Sequence, residues 1–217
     1  TLTTDDRKIQ TGRIDVALKT GQDAIDAAAT TPDAINAFDT NKPLIQAVHT
    51  PGQPLADRKA DRKAKLQAEH DKIVNDIKND PTLTAAEKPL QITNADTALT
   101  NANLAVDAAT DADHVDSAFS DGITAIDGAH KTGATLDTQR TAKKDALDKE
   151  AATVKQAIQD DATLTSAEKK TQSDAVDKAL TDAKSAIDNA TTADTINAAA
   201  DTGLANIRNA HQSGPSL

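Results

Sequence analysis

The chain has 217 residues with no Cys, Met, Trp or Tyr, and its only aromatic residues are Phe38 and Phe119. Apolar volume from Ala, Leu, Ile and Val alone makes a thin core, which favours packed helices, and the lack of Cys excludes a disulfide framework and thiol chemistry. The net charge of −10 divides as −2, −5 and −3 over residues 1–52, 53–133 and 134–214; no nucleic-acid partner is expected without a basic footprint, and no membrane insertion without a run approaching ~20 apolar residues.

The chain repeats itself. Residues 1–7 read TLTTDDR, 82–88 read TLTAAEK and 163–169 read TLTSAEK, each 81 positions after the last. The same offset relates Leu18, Leu99 and Leu180, and Ile45, Ile126 and Ile207. Residues 1–52 therefore read as the second and third helices of a copy, 53–133 and 134–214 as complete three-helix repeats, and 215–217 as the start of the next repeat or a tail. A piece of a longer array is expected, and the sequence carries no signal or anchor motif.

The first helix of a complete copy is expected over 55–79 and 136–160. Leu147, Ala151, Val154 and Ile158, matched by Leu66, His70, Ile73 and Ile77, have the 4-3-4 spacing of one buried helix face. The preceding DRKADRKAK at 57–65 reads as a solvated face with charge pairs along the helix, the interleaved Asp57 and Asp61 arguing against an anion patch.

The second helix is expected over 85–109 and 166–190. Thr84 with Glu87, and Thr165 with Glu168, fit a capping box, and Thr3 with Asp6 is its shorter version. Gln10, Gln91 and Gln172 recur on the apolar face and are expected to bond to a neighbouring helix or loop, with ligand contact as the alternative. Asp26, Asp107 and Asp188 oppose the helix dipole near the end, so a Lys or Arg partner or a turn amide is expected.

The third helix is expected over 113–130 and 194–211. Thr110 with Asp113 and Thr191 with Asp194 resemble another capping box, and Thr31-Pro32 serves in the first copy. Gly122 and Gly203 lie inside this helix, where close approach of a neighbour would offset the cost of Gly. His49, His130 and His211 are expected in the last turn, interacting with the negative helix end, and Gly52, Gly133 and Gly214 as left-handed caps. Metal ligation by these His is disfavoured because one lies in each copy. Asp111, Asp113, His114 and Asp116 crowd together as metal ligands might, but the other copies do not share the pattern. No phosphate loop, HExxH, GxSxG or Cys nucleophile occurs, so no enzyme activity, catalytic residue, cofactor or metal is expected.

The expected fold is all-α: tandem three-helix bundles, up-down-up, stacked end to end into an elongated rod. The three helices of one copy form each bundle, as Pro51-Gly52 and Pro54 at one junction favour, or the second and third helices join the first of the next copy over 1–79 and 82–160, leaving 163–214 as a hairpin. At TLTAAEK and TLTSAEK, with alanine-rich helices on either side and Ala-Ile-Asp elements such as Ala24-Ile25-Asp26, the chain resembles a tandem helical repeat of unknown function. That repeat is found in wall-anchored surface proteins of Gram-positive bacteria, and the staphylococcal extracellular-matrix-binding protein carries related modules. The resemblance implies a secreted, cell-wall-attached fibrous protein and a role in a stalk or in adhesion.

The leading reading is a monomeric structural spacer whose partners are the neighbouring repeats of the same chain. The second is an adhesin module binding a host extracellular-matrix protein weakly and multivalently. The third is a disordered stress-protectant chain.

Overall fold

A computed structural model describes residues 1–214, so the reading of 215–217 lies outside the described residues. Within them the chain forms eight α-helices and no strand. These are α1 (Thr4–Asp26), α2 (Thr31–Gln46), α3 (Leu55–Asn79), α4 (Glu87–Ala108), α5 (Ala112–Asp127), α6 (Leu136–Asp160), α7 (Ser166–Asn189) and α8 (Ala193–Asn209). The first and second helices of the two complete copies are present at the expected places, with one late start. Helix α4 opens at Glu87 rather than 85, because Pro89 has no amide to donate to the Ala85 carbonyl.

The chain divides into two compact units. The first comprises Thr1–Lys72 and Ala95–Gly128; the second comprises Ile73–Asn94 and the chain from Ala129 onward. The division cuts α3 and α4 and so does not follow the sequence copies.

In the second unit, α6, α7 and α8 pack on one another. Leu147, Ala151, Val154 and Ile158 of α6 form one buried cluster with Val176, Ala183 and Ile187 of α7 and Ala200 and Ile207 of α8. Burying each large aliphatic side chain contributes roughly 1.5–3 kcal/mol. The direction of the helices follows from their ends. Lys144, early in α6, pairs with Asp188 at the end of α7, and Gln172, early in α7, bonds to Gln212 just beyond α8. The three helices therefore run up, down and up.

Small residues set how closely α7 and α8 approach. A Cβ on Gly203 would lie 2.5 Å from the Ala183 Cβ and 3.1 Å from Leu147 Cδ2. The first unit repeats this at Gly122, whose added Cβ would meet the Ala102 Cβ at 2.6 Å and Leu66 Cδ2 at 2.8 Å. Between α1 and α2 the small residue changes helix. Gly21 stands where Ala102 and Ala183 do, and Asn41 stands where Gly122 and Gly203 do. A Cβ on Gly21 would meet the Asn41 Cβ at 3.1 Å.

The DRKADRKAK segment keeps one charge pair along the helix, Asp61 with Lys65 at 2.9 Å, but otherwise corrects the reading of a solvated face. Arg58 and Arg62 turn across to α5 and bind Asp116 from both sides, at 2.7 and 2.8 Å. The Arg62 guanidinium also lies 4.9 Å from the Phe119 ring centre. Lys63 reaches Asp107 at 2.9 Å, and Lys59 reaches the Asp107 carbonyl at 2.8 Å. Long Arg and Lys stems cover apolar surface while their heads reach acceptors on neighbouring helices, so these cations act between helices.

Candidate functional site

The most elaborate polar constellation is the loop between the first and second helix of each complete copy, together with the chain just beyond the third helix. Both examples lie wholly in the second unit.

In the first example Asp80 directly follows α3 and is almost entirely buried. Its Oδ1 accepts the Thr82 amide at 2.8 Å and the Thr82 hydroxyl at 2.6 Å. Its Oδ2 lies 2.9 Å from His130 Nε2. The Thr82 hydroxyl oxygen in turn accepts the Gly133 amide at 2.9 Å. Burial alone would raise the Asp80 pKa; the Thr82 and His130 hydrogen bonds outweigh it and hold the carboxyl below its usual range.

The second example reproduces the first atom for atom. Asp161 accepts the Thr163 amide at 2.8 Å and its hydroxyl at 2.5 Å. His211 Nε2 lies 3.1 Å from Asp161 Oδ2, and the Gly214 amide donates to Thr163 Oγ1 at 2.8 Å. Hydrogen bonds from Thr163 and His211 press the Asp161 pKa far down.

Two site readings change here. His130 and His211 lie beyond the ends of α5 and α8, so they bind a carboxylate instead of sitting in the last helical turn. Gly133 and Gly214 are not left-handed caps: no described glycine has a positive φ. Their role is steric. An added Cβ would fall 2.3 Å from the Thr82 carbonyl oxygen at Gly133 and 2.4 Å from that of Thr163 at Gly214. Gly52 shows the same crowding, 2.2 Å from the Thr1 carbonyl oxygen, in the first unit. His49 belongs to the same series, and the position that matches Asp80 in its own copy precedes residue 1.

The cap residues are placed as follows. Thr84 Oγ1 accepts the Glu87 amide at 3.3 Å while Glu87 accepts the Thr84 amide at 2.8 Å. Thr165 and Glu168 make the same exchange at 3.3 and 2.8 Å. These bonds hold both glutamates below the usual carboxylate range. The three recurrent glutamines are half-buried, and each clamps one backbone residue from both sides. Gln91 donates to the Lys131 carbonyl and accepts its amide, both at 2.8 Å. Gln172 does so on Gln212 and Gln10 on Thr50.

Two of the third-helix caps fall one residue later than the sequence reading put them, and that of the first copy falls one residue earlier. The N-caps are Asp111 and Thr192, and Thr30 for α2. This frees Asp113 and Asp194 for another task. Asp113 accepts the Thr4 amide at 3.0 Å, and Asp194 accepts the Ala85 amide at 3.0 Å, each across 109 residues of sequence. Each carboxylate thus satisfies an amide of the preceding copy, that of Thr4 in the first turn of α1 and that of Ala85 in the turn leading into α4. The Ala193 amide adds a 2.8 Å bond to the Pro81 carbonyl. Gln139 adds a 3.0 Å bond to the Thr82 carbonyl. Hydrogen bonds from Thr4 hold the Asp113 carboxyl below its usual range.

The Asp111, Asp113, His114 and Asp116 crowd separates into three jobs. Asp111 caps α5 and bonds His114 at 2.8 Å, Asp113 takes Thr4, and Asp116 takes the two arginines. No group of three or more His, Cys, Asp or Glu side chains is placed to hold a metal ion among the described residues. Chemically, the Thr82 hydroxyl donates a hydrogen bond to Asp80 and accepts one from the Gly133 amide, so the cluster satisfies its own donors and acceptors. The partly buried His70 was read only as an apolar-face position. It bonds Asp96 at 2.8 Å and Asp71 at 3.1 Å. Burial lowers its pKa, but those two carboxylates raise it by more.

Residues 139–213 match the model of DUF1542, a domain of unknown function. That domain is found in Gram-positive surface proteins such as staphylococcal extracellular-matrix-binding proteins. No curated protein and no solved structure matches the chain.

Proposed function

We propose, from the family match over residues 139–213, that this chain is a stalk or spacer of a bacterial cell-surface fibrous protein, projecting an adhesive or other domain from the cell wall. The family implies a surface-protein repeat module. The observation that carries the finer reading is the joint between successive copies. Thr4 with Asp113 and Ala85 with Asp194 use the same atoms at the same 109-residue spacing. A joint made of a backbone amide at the entry of one helix and a carboxylate from the next copy fixes direction, where a Gly/Ser linker would leave it free. The recurrent polar residues of the loops bond to the protein's own backbone and carboxylates, which suits a spacer and leaves few groups for a ligand.

Small-angle scattering tests this. The spacer reading expects an extended particle whose maximum dimension grows by a fixed step when one more copy is added. A globular profile, or one that does not lengthen with the added copy, refutes it.

The adhesin reading draws on two separate exposed side chains of α4, Leu90 at 67% and Leu104 at 63% exposure, where the third copy has Thr171 and Ser185. Immobilised fibronectin, fibrinogen and collagen provide its test: saturable binding that survives moderate salt and is lost in Leu90→Thr or Leu104→Ser would favour it over the spacer.

A further inference from the structure

Two neighbouring residues of α3, Glu69 and His70, hold this helix to α5 and α4 by contacts that depend on a proton. All the groups involved lie in the first unit. His70 Nε2 lies 2.8 Å from Asp96 Oδ1 on α4, and its Nδ1 lies 3.1 Å from Asp71 Oδ1. A carboxylate only accepts, and a neutral imidazole has one N–H, so both bonds exist together only when the ring is the imidazolium. Gln67 Nε2 donates to the same Asp71 oxygen at 2.7 Å and keeps it in place. The ring is nearly buried, so loss of its proton leaves one nitrogen facing a carboxylate oxygen with no hydrogen between them.

Beside it, the Glu69 and Asp127 carboxyls lie within hydrogen-bonding reach of each other, from α3 to α5. Two carboxylates so placed repel, and one shared proton turns the repulsion into a bond. Lys72 decides which of them holds it. Its ammonium lies 2.5 Å from Glu69 Oε1 and keeps that carboxyl below its usual range. Partial burial and then the Glu69 carboxyl push Asp127 above its usual range, so the proton resides there.

The third repeat builds the same contacts without a proton. Glu69 corresponds to Glu150 and Asp127 to Arg208, which pair at 2.7 Å. Asp96 corresponds to Asp177, which is reached from α6 by Lys155, while His70 gives way to Ala151. Arg and Lys stay charged far above neutral pH, so these pairs keep their charges where those of the second repeat change.

We propose that Glu69 and His70 form a proton-operated clasp: acid closes α3 onto α4 and α5, rising pH loosens it, and the third repeat keeps its grip throughout. The charged groups facing the clasp are Asp71 and Lys72 from α3 itself, Asp96 from α4 and Asp127 from α5. Both steps have the same sign. Asp127 contributes fully below 3.8 and His70 fully below 6.5, and each contribution is lost as the pH rises through the raised folded value. The clasp goes beyond a spacer role and does not depend on it, because it gives one repeat a response to acidity that its neighbour lacks.

Hydrogen exchange of the full chain, read by mass spectrometry and corrected for the intrinsic pH dependence of amide exchange, compares α3 with α6 between pH 4 and 8. Protection over 66–72 should fall by about threefold or more across that range, and protection over 147–153 should hold. Asp127→Asn, which keeps a donor facing Glu69 at every pH, should remove the lower step. His70→Ala, which installs the residue of the third repeat, should remove the upper one. Arg208→Asp should make α6 lose protection as the pH rises and regain it in acid, a reversible gain of response that misfolding would not give. Parallel pH courses for α3 and α6 overturn the inference, as does an α3 course that persists in the Asp127→Asn, His70→Ala double variant.

Discussion

Gly203→Ala tests the close packing of α7 against α8. The added Cβ would sit 2.5 Å from the Ala183 Cβ, while carbon atoms prefer about 3.5–4.0 Å. The helices must part by roughly 1 Å, or Leu147 and its neighbours must repack. Overpacking of this kind costs about 1–3 kcal/mol, and Ala gains about 1 kcal/mol over Gly in a helix interior. The net destabilisation expected is therefore about 0–2 kcal/mol, visible in urea denaturation followed by helical circular dichroism.

The decisive measurement is the double variant. Ala183→Gly alone should destabilise by about 1 kcal/mol, the helix cost of Gly. Combined with Gly203→Ala it recreates the small-on-one-side arrangement of Gly21 and Asn41, so the pair should be more stable than the sum of the singles by about 0.5–3 kcal/mol. Strict additivity, or a Gly203→Ala chain more stable than the parent by the full propensity gain, would refute the close-approach reasoning.

Gly133→Ala and Gly214→Ala should destabilise more than Gly203→Ala, because the added Cβ meets a backbone carbonyl oxygen at 2.3 and 2.4 Å, and a carbonyl cannot move aside as a side chain can; thermal melts compare the three. Asp194→Ala should cost about 0.5–2 kcal/mol, as loss of a cap does, and should speed hydrogen exchange at the Ala85 amide while leaving the interior of α7 protected. The pH profile has two edges. Asp80 has a folded pKa below 3.8, so its contribution is present above that value and is lost as the pH falls through the folded pKa. His70 has a folded pKa above 6.5, so its contribution is complete below 6.5 and is lost as the pH rises through the folded pKa. Thermal melting should therefore be highest between these edges, and His70→Ala, which installs the residue found at Ala151, should flatten the upper one. An unchanged slope between pH 6 and 8 in His70→Ala would count against the His70–Asp96 pair.

The helical frame was legible because periodic burial is a one-dimensional signal. Leu147, Ala151, Val154 and Ile158 announce their face whatever lies opposite. The capping boxes at Thr84 and Thr165 were legible for the same reason, since both partners lie within one turn. What the sequence left open is contact between segments distant in the chain. His130 and Gly133 looked like helix-end devices because that is the local chemistry His and Gly share, and nothing nearby names Asp80 or the Thr82 carbonyl. Asp113 and Asp194 were assigned to the wrong cap because their partners are 109 residues earlier. Arg58 and Arg62 likewise had local acids within reach, and only tertiary packing brings Asp116 to them. One long-range clue was available: Gln10, Gln91 and Gln172 recur in register with the backbone positions forty residues on that they grip.

The joint has a consequence for how such an array can change length. Each unit of duplication carries both halves of the fastening, the amide that is gripped and the carboxylate that grips. Recombination between misaligned tandem copies can therefore delete or insert a whole period, and every surviving joint still finds its counterpart. A frame-preserving change of any other size would strand one half, so selection on this architecture should tolerate variation in copy number far more readily than variation in the period itself.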